Sequence, residues 1–351
     1  MAAPDLDLSR PGVINADAGT YAKDNALFLK VFSGEVLTAF ARQNVFGSLV
    51  QSRTIQNGKS AQFPVTGRFT SEFHTPGKMI IGQDNMGQNE VVVNIDDLLI
   101  SSCSLYDLDD AKNHYDVRSI YSTELGRAMS RTYDKRIARV ITLGARVTAP
   151  ASSTGDLADD KPAGLKPDQQ VRHGTRVDLA KATPTSDDLV AAVFAAAEAL
   201  DEKDVSPEGR SLVCTPEVYY KLIQSSRAVN FDFNQQGVNG SYKEGQIAKL
   251  AGFNIYSSNN LAQGNVTAPA GEQGYTFNGT TTTLSSVDMT KTSMLAFQSQ
   301  ACGVVKLRDL SMQMSGNDYN VMYQATLMVA RMAYGVAPLR PECCVEVYSS
   351  V

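Results

Sequence analysis

His114 follows Asp110 by four residues, a spacing that puts an imidazole and a carboxylate on one helix face, where they could begin a metal site. A bound metal asks for about four ligands, so this pair is two short, and a solvated or hydrogen-bonded His114 is the plainer reading. The only other imidazoles are His74 and His173. Cys103, Cys214, Cys302, Cys343 and Cys344 form no C-x-x-C pair, and an odd number of scattered thiols reads as reduced. Adjacent Cys343 and Cys344 would point to opposite faces of a strand, one toward the core and one outward. The doublets Asp96-Asp97, Asp109-Asp110, Asp159-Asp160 and Asp187-Asp188 lack the Gly and Glu of a calcium loop and suit helix starts and turns. No phosphate-cradling loop, dinucleotide fingerprint or nucleophile elbow occurs. The expectation is no catalytic residue, no metal site and no cofactor.

One constellation of charge is less ordinary. Arg127, Arg131, Lys135 and Arg139 repeat every four residues and align four cations along one helix. Like charges at this spacing repel by a few tenths of a kcal/mol each. The bland reading is a solvated face with Glu124 and Asp134 alongside. The sharper one is a basic ridge that meets an acidic surface of a neighbouring chain, or nucleic acid.

The element that carries the ridge runs from Asp110 to Leu143. Val117, Tyr121, Leu125, Ala128, Met129, Thr132, Ile137, Val140 and Ile141 fall at three- and four-residue steps, Asp107, Asp109 and Asp110 suit the start, and Gly144 suits the stop. At about 1.5 Å per residue the helix is roughly 51 Å long. From Tyr319 to Ala333 apolar and polar residues alternate, which predicts a strand of roughly 50 Å. Two elements of matching length, packed along each other, predict a flat plate.

With 351 residues, 43% hydrophobic and 20% charged, the chain has core enough for two domains. A net charge of -5 weakens the case for a dedicated nucleic-acid binder. No apolar run reaches 18 residues and no basic-then-apolar leader stands at the amino terminus, so neither a membrane span nor a secretory signal is expected.

Residues 1–25 read as a polar arm, and Ala26 to Arg42 as an amphipathic helix that needs a surface to dock on. From Phe46 to Asp97 the texture is strands and turns: Asn57-Gly58 signals a type I′ hairpin, Ala61, Phe63 and Val65 alternate with polar residues, and Gly82 to Glu90 forms a polar tip. So little apolar mass predicts a two-stranded flap supported from outside its own chain. After the long helix, Arg146 to Ser186 reads as extended connections. Helices are expected at Asp187–Leu200, Pro216–Ser225 and Lys243–Leu250, and strands at Ser211–Cys214, Phe253–Ser257, Met294–Gln298, Gly303–Arg308 and Cys343–Tyr348. Asn259 to Thr283 reads as a Thr-rich surface loop. A compact α+β domain is thus inserted into the plate.

Several of these stretches resemble the major capsid proteins of short-tailed bacteriophages of the T-seven type. They are ALFLKVFSGEVLTAFAR (26–42), GKSAQFPVTGR (58–68), DAKNHYDVRS (110–119), GVVKLRDL (303–310) and LRPE (339–342), long and in order, with the likeness concentrated in the first 145 residues and the last fifty. The resemblance implies an α+β fold of the Hong Kong 97 type. Its parts would be an arm with a docking helix (1–45), an extended loop over a neighbouring subunit (46–97), a peripheral domain (98–186) with spine helix 110–143, an axial domain (187–317) and peripheral return strands (318–351). It also implies a virion protein, assembled in the bacterial cytoplasm. Copies would join as hexamers and pentamers of an icosahedral shell around double-stranded DNA, with a scaffolding protein and a portal as assembly partners and no membrane.

Contacts in such a shell spread over the chain. The expected intersubunit residues are Arg53, Lys59, Gln62, Arg68 and Glu72 on the flap, with Arg53, Lys59 and Arg68 reaching acidic groups of the next subunit. A compartment shell of the same fold with protein cargo is the near rival, separable by its contents. An enzyme with a pocket in the insert is the distant one, and the insert offers no clustered catalytic motif.

Overall fold

The computed structural model describes residues 44–66, 73–80, 88–112, 117–147, 173–224 apart from 182, and 240–350 with short breaks. The expected arm, the helix at 26–42, His114, Arg68 and Glu72 lie outside the described residues. Among shorter strands, the first half holds helix α1 (Phe46–Leu49), strands β1 (Gln51–Thr54), β2 (Ser60–Thr66), β3 (Gln88–Asn94) and β4 (Leu99–Tyr106), and helices α2 (Asp107–Lys112) and α3 (Val117–Arg146). Then come β5 (Thr175–Asp178), α4 (Ser186–Asp201), β6 (Arg210–Cys214), α5 (Pro216–Gln224), β7 (Lys249–Leu250) and β8 (Phe253–Ser257). The remainder holds β9 (Tyr275–Phe277), β10 (Thr280–Thr282), β11 (Thr292–Gln298), β12 (Cys302–Met314), α6 (Asn317–Tyr323), β13 (Ala325–Pro338) and β14 (Cys344–Tyr348). The class is α+β.

The described chain divides into two compact units, one from Leu98–Thr132 and Arg308–Ala333, the other from residues 44–97, Tyr133–Leu307 and Tyr334–Val351. The larger unit is built on a six-stranded sheet in the order β5-β14-β11-β6-β8-β7. Every residue of β6 is buried, because both faces are covered. One face, with Leu212, Cys214, Ile255, Met294, Ala296, Val345 and Val347, packs on α4 and α5. α4 starts with a capping box in which Thr185 and Asp188 satisfy each other's backbone amides, and its Leu189, Val193, Ala196 and Leu200 are buried. On the other face Phe46 of α1 stacks on Phe297 at 6.1 Å. There Glu346, fully buried, accepts Arg146 Nε and Nη2 at 2.9 and 2.6 Å, Arg176 Nε at 2.9 Å and Thr292 Oγ1 at 2.6 Å. Burial alone would raise the Glu346 carboxyl, but the hydrogen bonds from Arg146 and Thr292 and the two guanidinium charges outweigh it and hold it below its ordinary value.

The same unit holds the ribbon, where β2 and β3 pair antiparallel from Ser60 opposite Asn94 to Thr66 opposite Gln88. In the smaller unit β4 pairs antiparallel with β13 from Tyr106 opposite Ala325 to Leu99 opposite Met332.

Several expectations are corrected. Asn57-Gly58 makes no hairpin: only Gly58 has positive φ, at 120°, and the chain changes sheets there, β1 running parallel to β12 while β2 pairs with β3. The paired positive φ values occur instead at Ala251 (49°) and Gly252 (81°), which join β7 to β8, and β7 itself occupies the end of the helix expected at Lys243–Leu250. α3 spans 30 residues from Val117, α2 already begins at Asp107, three residues before the expected start, and Gly144 does not stop the long helix. Gly144 instead packs close to β14, since a Cβ there would lie 3.0 Å from Cys344 Sγ. The expected strand from Tyr319 begins as α6, because Tyr319 and Tyr323 also satisfy helical spacing, with rings 4.7 Å apart, and Gln324 at φ 50° ends the turn. Cys343 and Cys344 are both buried, as Pro341–Cys343 form a 3-10 turn and only Cys344 is in the strand. Burial pushes the Cys214 and Cys343 thiols up to about 12 and raises those of Cys302 and Cys344 as well.

Candidate intersubunit surfaces

The ribbon is not without support from its own chain. Part of the expected Thr-rich loop, β9, pairs with β3, with Tyr275, Thr276 and Phe277 opposite Val93, Val92 and Val91, and β10 extends the sheet to β10-β9-β3-β2. Beneath it Ala61, Val91 and Val93 pack with Val305, Ala337 and Leu339, joined by Ile55, Phe63, Ile95 and Tyr275. The expectation of a two-stranded flap held only from outside is thereby corrected at its base. The alternation of Tyr275, Thr276 and Phe277 was the available sequence signal, hidden by the surrounding Gly and Thr.

The far end is different, and β3 already begins at Gln88, inside the expected polar tip Gly82 to Glu90. Phe73, Met79 and Ile80 have relative exposures of 103%, 84% and 77%, and all of residues 73–80 are exposed. Of the expected contact residues near the foot, Arg53, Lys59 and Gln62 are exposed. Arg53 Nη1 donates to the Gln62 carbonyl at 3.3 Å, and Gln62 Nε2 donates to Glu90 Oε1 at 3.4 Å. Those three side chains therefore neighbour the ribbon's own polar face, with Lys59 pointing into solvent at the turn into β2.

The expected ridge on α3 does not present four equivalent cations. Arg127 is half-buried and pairs with Glu124 at 2.5 Å, Arg131 and Lys135 are half-buried, and Arg139 is buried against Glu272. A four-residue step advances about 400°, so each residue lies some 40° further round and the last turns inward. Sequence spacing also missed Arg136, which is buried, ion-paired with Asp96, 3.5 Å from Glu272 and stacked over Tyr334 at 5.2 Å. Burial lowers the affinity of its guanidinium for a proton, with the Glu272 charge acting the other way.

Within the smaller unit a second apolar surface is open. Leu310, Met312 and Met314 lie on one face of β12 and are 43%, 44% and 60% exposed, while Val321 and Met322 of α6 are more exposed still. Among the described residues no group of three or more His, Cys, Asp or Glu is placed to hold a metal, and no helix is long and apolar enough to cross a membrane. What the surface offers is apolar area at a ribbon tip and along a strand, with charge at the ribbon foot.

The profile of the family described as Gp10A-like: Major capsid protein matches residues 62–348. The chain belongs to the Gp10A-like major capsid proteins. Among Gp10A-like relatives, the major capsid protein of Enterobacteria phage T3 is 32% identical over 340 residues, covering 93% of each chain. That of Escherichia phage T7 is 31% identical over 325 residues, covering 90% of each. In a solved capsid structure of cyanophage P-SCSP1u the matching chain is 37% identical, with a TM-score of 0.76 over 99% of both chains. The mature capsid of bacteriophage PhiM1, at 19% identity and a TM-score of 0.71, shares the fold. That fold is the Hong Kong 97 type, and the Gp10A-like family is one of structural shell proteins of phage virions, with no enzymatic members known.

Proposed function

We propose that this chain is a coat protein whose copies form the hexamers and pentamers of an icosahedral head enclosing double-stranded DNA. Assembly takes place in the bacterial cytoplasm on a scaffolding protein, with a portal at one vertex, and DNA is enclosed without sequence-specific contacts. The ribbon 46–97 lies over a neighbouring subunit, α3 serves as the spine, and 187–317 acts as the axial domain.

The observation that carries this reading beyond family membership is the bare ribbon tip. Phe73, Met79 and Ile80 leave nearly their whole side chains in water, and covering each would contribute roughly 2 kcal/mol. A neighbouring copy covers them in a closed lattice, where every subunit offers the same surface. Polar Arg53, Lys59 and Gln62 at the foot supply orientation, with Arg68 and Glu72 further along the same loop.

Coexpression with the cognate scaffolding protein, followed by electron microscopy, tests the proposal. Closed spheres of one diameter are expected. A chain that stays monomeric under all such conditions would refute it.

A further inference from the structure

Two arginines of α3 grip the foot of the ribbon and the segment that pairs with it. Arg136 is ion-paired with Asp96, two residues past the end of β3, and approaches Glu272; Arg139 pairs with the same Glu272 and donates to the Thr267 carbonyl at 3.3 Å. All four side chains are at most 7% exposed. Backbone bonds close the grip: the Gln273 amide donates to Asp96 Oδ1 at 2.9 Å, and the Asp97 amide donates to the Gly271 carbonyl at 3.1 Å. Gly271 has φ +98°, and a Cβ there would lie 2.9 Å from Asp97 Oδ2.

The apolar contacts under the ribbon hold it down but are non-directional. Charge-assisted hydrogen bonds fix direction, and a buried set of two cations and two anions resists losing any single member. We propose that Arg136, Arg139, Asp96 and Glu272 form a clasp that sets the direction in which the ribbon leaves the larger unit. It joins β2–β3 and residues 271–282 into one piece, so the ribbon moves only together with β9 and β10. The clasp itself stands on geometry within one chain; its importance for assembly rests on the reading of the ribbon as an intersubunit flap.

Hydrogen exchange on the unassembled full-length chain tests it, comparing wild type with Glu272→Gln and with Gly271→Ala, which attacks the same clasp through the backbone. The expected result is exchange accelerated about tenfold or more in residues 88–94 and 275–282 together, the effect of losing one charge-assisted hydrogen bond, with β6 and β11 as protected as in wild type. Unchanged exchange in both variants, acceleration of only one of the two segments, or equal acceleration of β6 and β11 would overturn the clasp. Particle formation is then scored separately. Variants with accelerated ribbon exchange that still close normal shells would support the clasp and count against the flap reading, whereas malformed or scarce shells from the same variants support both.

Discussion

The Val45 amide donates to the carboxylate of Asp134 at 3.0 Å, a bond that joins positions 89 apart in sequence. Gly47 donates to the other oxygen at 3.1 Å, and Asn260 Nδ2 donates at 3.1 Å. α1 has no side-chain cap of its own, so a residue of the long helix satisfies its first amides and fixes where the ribbon segment begins. Asp134→Ala would leave these three donors without this acceptor, at about 1–3 kcal/mol for each buried donor stranded, the Val45 amide and Asn260 Nδ2. Urea unfolding of the unassembled chain should show a loss of at least roughly 2 kcal/mol; a change within about 0.5 kcal/mol, the ordinary surface effect, would contradict the role.

Glu346 ties the acid stability of the larger unit to pH. Its folded carboxyl holds a proton less readily than an ordinary glutamate, so unfolding takes up a proton as the pH falls. The stabilisation is complete above about pH 4.3, the ordinary value, and is lost as pH drops through the lowered folded value. Glu346→Gln leaves Arg146 and Arg176 facing an uncharged amide and should cost roughly 3 kcal/mol at neutral pH. Chemical unfolding at stepped pH should show the gap between wild type and variant closing in acid; a gap independent of pH would exclude this origin.

The ribbon tip is expected to act in assembly alone. Phe73→Ser, Met79→Ser and Ile80→Ser combined remove apolar area that the isolated chain does not bury, so thermal unfolding of the unassembled subunit should stay within about 0.5 kcal/mol of wild type. Particle yield with scaffold should collapse. Normal yield would show that the tip needs no cover.

Charge at the ribbon foot should show in the salt response. Lys59 is exposed, and Lys59→Glu places repulsion where attraction to an acidic neighbour is expected. Sedimentation of assembly products should reveal fewer particles at low ionic strength and partial recovery as salt screens the repulsion. Equal yields for Lys59 and the variant at all salt concentrations would remove it from the contact.

Periodicity made parts of this fold readable before any coordinates. The buried stripe of α3 at Leu125, Met129, Ile137, Val140 and Ile141 follows the helical spacing, and the expected strand Ser211–Cys214 lies within β6. Local signals misled where a long-range partner decided the outcome. Asn57-Gly58 is a good turn dipeptide, but β1 found its partner in β12, far along the chain. The Gly- and Thr-rich 265–282 segment reads as loop until Val91 to Val93 lie beside it as a template. The clasp was invisible for a similar reason: Asp96 looked like half of a turn doublet, and nothing in sequence joins Glu272 to Arg136 and Arg139. The exposure of Phe73, Met79 and Ile80 could not be read from their types, since large apolar side chains usually mark a core.

The fully enclosed sulfhydryls at Cys214, Cys302, Cys343 and Cys344 bear on chemical handling. Alkylating and maleimide reagents attack the deprotonated form, which burial suppresses at all four positions. With only Cys103 half-open among the five, one additional cysteine introduced at Lys78 on the exposed loop would provide a nearly unique conjugation handle on the unassembled subunit, and dyes or peptides could be attached there under mild conditions while the four enclosed thiols stay silent.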